Sequence, residues 1–406
     1  MKKRDVLFLC QYFYPEYNSS ATLPFDTASY LASHGKTVSA MCGYPKEYTK
    51  KKNIPIREIK DEVHIRRLQY LQLSRSGKIG RLINYFSFTI SALLHLPEFR
   101  KFQCVIVYSN PPVLPIVPVL ANVFFKTQFI FVAYDIYPEV AYASCSVEPG
   151  RIIDKIMRLI NHLLYSRAYK VVALTEEMRQ FILQNRSEID EPQVRVIPNW
   201  AHENRRNLTD EMFQHFGYQN DQFIVSYFGN LGVCQDIETM ISAIHILRDD
   251  TRIQFLIVAH GSKRQEFEEE TKGCSNVTIL DFLTGENFEC ALAISSCCIV
   301  SLENGLMGTC APSKYYSYLQ SGCPILAVVE ENSYLSQEIS EEGIGFDFRI
   351  GDGQGLAETI RELLNNEEQR NAMGDKARSL YENKYAQHIA MRAYDELVSQ
   401  ALCSRK

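Results

Sequence analysis

Lys314 is the residue with the clearest chemical promise, because of the stretch in which it stands, GTCAPSKYYSYLQSGCPILAVV from Gly308 to Val329. Thr309, Cys310 and Ala311 are small, and Pro312 then sits where a first helical residue fixes its φ without wasting an N–H. Tyr315, Tyr316 and Leu319 recur at helical spacing, Gly322 is a natural stop, and CPILAVV reads as a buried strand. A loop of small residues feeding a helix N-terminus gathers unpaired N–H groups at the positive end of the helix dipole, which suits phosphate. Pro312 and Ser313 complete that loop, and Lys314, in the first helical turn, would add a point charge. An αβ unit of any parallel sheet looks much the same, so the reading needs company.

Three more loops at strand ends supply it. Gly229, Asn230 and Leu231 follow FIVSY; Gly261, Ser262 and Lys263 follow IQFLIVAH; Phe282 and Leu283 lie at the end of NVTILDFL. Four such loops around one cleft would hold a nucleoside diphosphate through backbone amides and lysines in place of a metal. Lys263 and Lys314 are the available cations, though each also reads as a solvated surface lysine. No Gly-x-Gly-x-x-Gly follows a strand and no Walker sequence or Asp-x-Asp pair is present, so nicotinamide and P-loop chemistry lose their main support.

The first half of the chain offers a different set of polar strand ends. They are Tyr14, Glu16, Asn18, Ser19 and Ser20 after the first strand, then Asn110, Tyr134, Asp135 and Glu139 further on. Asp135 ends an apolar strand and is followed by Ile-Tyr-Pro-Glu, which suits a buried functional carboxylate or a cap on the next turn.

The elements that must position these groups alternate along the whole chain. DVLFLCQYF, KTVSAMCGY, VHIRRLQYL, CVIVYSN, FIFVAYD, KVVALT and VRVIPN read as strands, with helices expected near 23–33, 77–96, 151–167 and 176–185. After a polar run between Ala201 and Gln222 the pattern restarts at FIVSYFGN and continues through IGFDFRI. The fold class is therefore α/β, with two Rossmann-like doubly wound domains whose strand ends would face a central cleft. The expected division is a first domain over 1–203, a second over 204–385, and a last helix in 386–406 packing back on the first domain.

Composition bounds the partners. The 406 residues exceed one ordinary core. Net charge is −5, yet residues 1–100 hold 16 Lys and Arg against 8 Asp and Glu, leaving −13 for the rest. The segment 75–101 sets Arg75, Lys78, Arg81, Arg100 and Lys101 around an apolar helix, the composition of an interfacial helix on anionic lipid or of a helix half-buried on its own sheet. No nucleic-acid partner is indicated. Twelve cysteines without zinc-type spacing read as reduced and buried, no signal peptide is evident, and no stretch has the apolar length of a spanning helix, so the expected location is cytoplasmic, peripheral on the inner membrane face.

With those residues in view, the chain resembles glycosyltransferase family 4, the retaining GT-B enzymes that use nucleotide sugars. The carriers are VLFLCQYFYPE, YDIYPE, VIPNW, YFGNLGVCQDIETMISA, VAHGSKRQEFE and APSKYYSYLQSGCPILAV. The paired Tyr-Pro-Glu motifs look most like the branch that builds bacterial capsule, O-antigen and exopolysaccharide on lipid carriers. The resemblance implies transfer from a UDP-, GDP- or TDP-sugar to an acceptor hydroxyl with retention, without an obligatory metal or other cofactor. Asp135 and Lys314 would be catalytic, the four loops would bind donor, and the first-half strand ends would bind acceptor. Departures stand beside it: Thr309 and Ser317 occupy the positions of the customary Glu-x7-Glu pair, Asn230 and Gln235 lie near the customary Arg and Lys, and Tyr134 lies at or near a customary histidine. Two other readings stay open, a non-catalytic GT-B partner of another transferase and a sugar-nucleotide 2-epimerase. Self-association or association with another chain is compatible with either.

Overall fold

From Val6 to Cys10 every residue of the first strand is buried, as a strand covered by helices on both faces requires. The computed structural model describes residues 3–46, 48–73, 78–143, 147–202 and 208–404. Arg75 and the expected boundary at 203/204 lie outside them. The chain forms two compact units, Met1–Asn199 with Gly308–Ala311 and His388–Lys406, and Trp200–Met307 with Pro312–Gln387.

The sheet of the first unit contains β1 (Arg4–Cys10), β2 (Val38–Gly43), β3 (Arg57–Lys60), β4 (Val63–Leu68), β5 (Phe102–Tyr108), β6 (Gln128–Val132), β7 (Lys170–Ala173) and β8 (Val194–Val196). Their order is β3-β4-β2-β1-β5-β6-β7-β8, parallel except for β3 against β4. The short polar strand REIK gave no strand signal in the sequence. Helices α1 (Ser19–Ser33), α2 (Lys78–Leu94), α3 (Ile116–Phe125), α4 (Glu139–Ala143), α5 (Ile152–Tyr165) and α6 (Glu176–Asn185) connect these strands. Phe88 of α2, Val117 of α3 and Leu164 of α5 enter one buried cluster with Val105 and Val107 of β5, so these three helices cover the same face of the sheet.

Two boundaries differ from expectation. Helix α1 begins at Ser19 instead of Leu23, because the Asn18 carbonyl already accepts from the Ala21 and Thr22 amides. The strand expected over 129–135 stops at Val132: the Ser109 hydroxyl accepts the amides of Tyr134 and Asp135 at 3.1 and 3.0 Å and turns the chain out of the sheet.

The second unit is built on β9 (Phe223–Asn230), β10 (Ile253–His260), β11 (Val277–Leu280), β12 (Cys297–Ser301), β13 (Ile325–Val328) and β14 (Gly345–Phe348), in the order β11-β10-β9-β12-β13-β14. Among the described residues the neighbouring strands in it pair in parallel. Its helices are α7 (Asp210–His215), α8 (Glu238–Leu247), α9 (Arg264–Glu270), α10 (Glu286–Ala293), α11 (Lys314–Ser321), α12 (Tyr334–Glu342), α13 (Gly353–Asn365) and α14 (Glu367–Leu380). The last helix, α15 (Gln387–Cys403), belongs from His388 onward to the first unit, where Asp395 pairs with Lys36. Among the described residues no helix is long and apolar enough to cross a membrane.

Candidate functional site

In the second unit, strands that run parallel deliver their C-terminal ends to one edge, and Lys314 is aimed at that edge. Its Nζ is buried and has no hydrogen-bond partner among the described residues. It lies 3.5 Å from the centre of the Tyr227 ring, and its terminal carbon lies 3.7 Å from where a Cβ on Gly229 would stand. Burial alone pushes its pKa well below the lysine range. A cation over a ring face is partly compensated electrostatically, but an ammonium without an acceptor is costly to bury. The arrangement suits an anion supplied from outside.

The neighbouring loops are laced to one another. The Leu231 amide donates to the His260 carbonyl at 2.6 Å and the Lys263 amide to the Leu231 carbonyl at 2.9 Å. Gln235 receives the Gly232 amide at 3.0 Å, and the Tyr227 hydroxyl donates to the Asn230 carbonyl at 2.7 Å. Ser262 lies within the Gly261–Lys263 turn, and Phe282 packs edge-on to His260 with ring centres 5.3 Å apart. Leu283 follows it, partly buried. Burial, then the charges of Lys314 and Arg264, lower the His260 pKa. Lys263 is not a free surface cation: its Nζ donates to the Gln235 carbonyl at 2.7 Å and to Glu303 at 2.5 Å.

The opening loop divides. Pro312 and Ser313 remain with Lys314 in the second unit, whereas Thr309, Cys310 and Ala311 belong to the first. There the Thr309 carbonyl accepts from the Ile136 amide at 2.7 Å and Cys310 forms an antiparallel bridge with Asp135. The Gly308 amide, expected among those that hold a diphosphate, donates instead to Glu177 at 2.8 Å. The helix itself starts at Lys314, two residues beyond Pro312, and ends at Gly322 in the left-handed conformation.

In the first unit, Tyr14, Asn110 and Asp135 follow the adjacent strands β1, β5 and β6 and so share one sheet edge. Desolvation raises the Asp135 carboxyl to about 6. Tyr134 leans on Tyr108 with ring centres 5.1 Å apart. The amide oxygens of Asn18 and Asn110 are buried without a partner among the described residues, while Glu16 is buried and Ser19 and Ser20 open α1. Two of the expected acceptor residues are already engaged. Tyr14 accepts from Lys51 at 2.6 Å, and Glu139 is paired with Arg186 at 2.7 Å, an ion pair that also ties down the Tyr137 carbonyl. The sequence reading missed Tyr227 and Glu303. A tyrosine inside the largely apolar FIVSYF was the one visible signal for the first; the second owes its role to a neighbour distant in sequence.

Residues 222–366 match the family of glycosyl transferases group 1. That match spans most of the second unit. Over 316 residues the chain is 25% identical to the probable glycosyltransferase WbjE of Pseudomonas aeruginosa, which covers 76% of this chain and 77% of that protein. Its fold is GT-B. The sucrose-phosphate synthase of Thermosynechococcus elongatus superposes with a TM-score of 0.79 at 16% identity over 99% of this chain and 100% of that one. Anabaena Alr3699/HepE, solved with UDP and glucose, superposes with a TM-score of 0.73 at 14% identity, again over 99% and 100%.

Proposed function

We propose that this chain is a glycosyltransferase that moves a sugar from a nucleoside-diphosphate sugar, with UDP as the leading candidate base carrier, to an acceptor hydroxyl with retention of configuration. The observation that carries the reading is the buried, unpartnered Lys314 ammonium at the strand-end edge of the unit that carries the group 1 match. A departing diphosphate would give that ammonium its missing partner, and charge complementarity to a leaving anion is a strong source of rate acceleration. The UDP bound to Alr3699/HepE supports the choice of nucleotide. Asp135, half-buried at the end of β6, is the carboxylate placed to meet acceptor or sugar hydroxyls in the first unit.

The acceptor in this reading is a lipid-linked glycan intermediate of capsule or exopolysaccharide synthesis, used by a cytoplasmic enzyme that needs no metal. The apolar helix α2 would rest on the inner membrane face. Purified protein incubated with UDP-sugars and an undecaprenyl-diphosphate-linked sugar should release UDP and extend the lipid. Binding of UDP without release or transfer, for every sugar tried, would instead mark a non-catalytic partner subunit.

A further inference from the structure

The outer face of helix α5 is apolar and cationic at once. Ile152, Ile156 and Leu159, at helical spacing, are 77, 39 and 60% exposed. Lys155 and Arg158 are exposed beside them, as is Arg151 at the N-cap, which pairs with the exposed Glu148 at 2.9 Å. On α2 the exposed stripe is Ile79, Phe86, Ile90 and Leu94, with Arg100 and Lys101 exposed just beyond. Helix α3 touches both α2 and α5 and ends in the exposed Phe124. Asp154 is the single acidic residue in the three helices, and it is buried against Arg158.

We propose that α5 and α2 together form one docking face for a bilayer containing anionic lipid. The inference rests on the membrane reading of α2 and adds the second contact helix. A water-facing helix has no use for isoleucine and leucine on successive turns, whereas an interfacial helix buries such residues among the acyl chains while lysine and arginine reach the headgroups. A single apolar stripe gives weak, reversible attachment, so two stripes either side of α3 would also fix the orientation of the sheet on the membrane. That orientation has a use. Both helices begin at the C-terminal edge of the sheet, since each must run back to start the next parallel strand, and this is the edge that carries Asn110 and Asp135. A lipid-borne acceptor would arrive beside them at the start of α5, while Arg100 and Lys101, directly ahead of β5, would hold headgroups at the opposite edge. A second copy of the chain is a poor occupant, because it would set like charges against each other.

The test is flotation of the full chain with phosphatidylcholine vesicles, with and without phosphatidylglycerol, for wild type, an α5 variant carrying Ile152→Ser and Leu159→Ser, and an α2 variant carrying Phe86→Ser and Ile90→Ser. UDP-induced thermal stabilisation serves as the fold control. Wild type should float only with phosphatidylglycerol, and each variant should lose about tenfold in partitioning while keeping its response to UDP. If the α2 variant loses binding and the α5 variant does not, the two-helix face is wrong and the α2 reading survives. Wild type that fails to float overturns both. A wild-type dimer that the α5 variant converts to monomer assigns the face to a second copy and overturns the lipid proposal.

Discussion

The Lys314 ammonium lies 3.5 Å from the centre of the Tyr227 ring and has no hydrogen-bond acceptor among the described residues. Its charge is useful only if a ligand supplies the counter-ion, so function and stability pull in opposite directions at this position. Lys314→Met keeps the length of the side chain and removes the buried ammonium. The variant should be more stable than wild type by about 1–3 kcal/mol, the scale of relieving an unsatisfied buried group, and should lose transfer by on the order of 100-fold or more. Thermal unfolding and UDP release measured on the same preparation check both halves. A variant that is less stable and fully active would remove Lys314 from the donor site.

Proton uptake should accompany donor binding. Burial holds the Lys314 pKa below the ordinary lysine value, and a bound diphosphate would raise it again. Titration of UDP into the protein near neutral pH, in buffers of different ionisation enthalpy, should therefore show net uptake of protons. The same titration with Lys314→Met should show less uptake or none.

Asp135 predicts a pH effect of definite sign. Its carboxyl titrates near 6, above the ordinary 3.8, because the folded state disfavours the charged form. The protein thus loses stability as pH rises from about 4 to about 6 and keeps the deficit above that. Asp135→Asn should flatten this part of the stability curve. If the carboxylate form serves the reaction, transfer by wild type rises through pH 6, and that acid limb should be missing from whatever activity Asp135→Asn retains.

The alternation of apolar strands with helices made both sheets legible in the sequence, and GTCAPSKYYSYLQSG pointed to Lys314 through local chemistry alone. What could not be read there is set by distant partners. Thr309 and Cys310 looked continuous with Lys314, yet Ile136 and Asp135, through backbone contacts, and Glu177, whose carboxylate accepts the Gly308 amide, hold that segment in the other unit. Lys263 looked like a free cation for the same reason, since its neutralising Glu303 lies on another strand's loop. Glu139 belonged to the most suggestive motif in the first half, and Arg186 engages it from the end of α6. Burial and hydrophobic periodicity are encoded locally; the pairing of charges is not.

Gly261 offers a test of how tightly the strand-end loops must fit. Its φ is +126°, and a Cβ there would lie 2.4 Å from the Leu231 carbonyl oxygen and 2.4 Å from the Asn230 amide oxygen. Gly261→Ala therefore meets both an unfavourable backbone conformation and a backbone atom that cannot turn aside. Gly217 has a φ of +80° with nothing within 4 Å of its would-be Cβ, so Gly217→Ala carries the conformational cost alone, roughly 1–2 kcal/mol. The Gly261 variant should be destabilised more, and only it should weaken UDP binding, because relief of the clash must move Leu231 and with it the hydrogen bonds to His260 and Lys263. Equal stability losses, or an unchanged UDP affinity in Gly261→Ala, would show that these loops tolerate rearrangement and that their lacing does not position the donor.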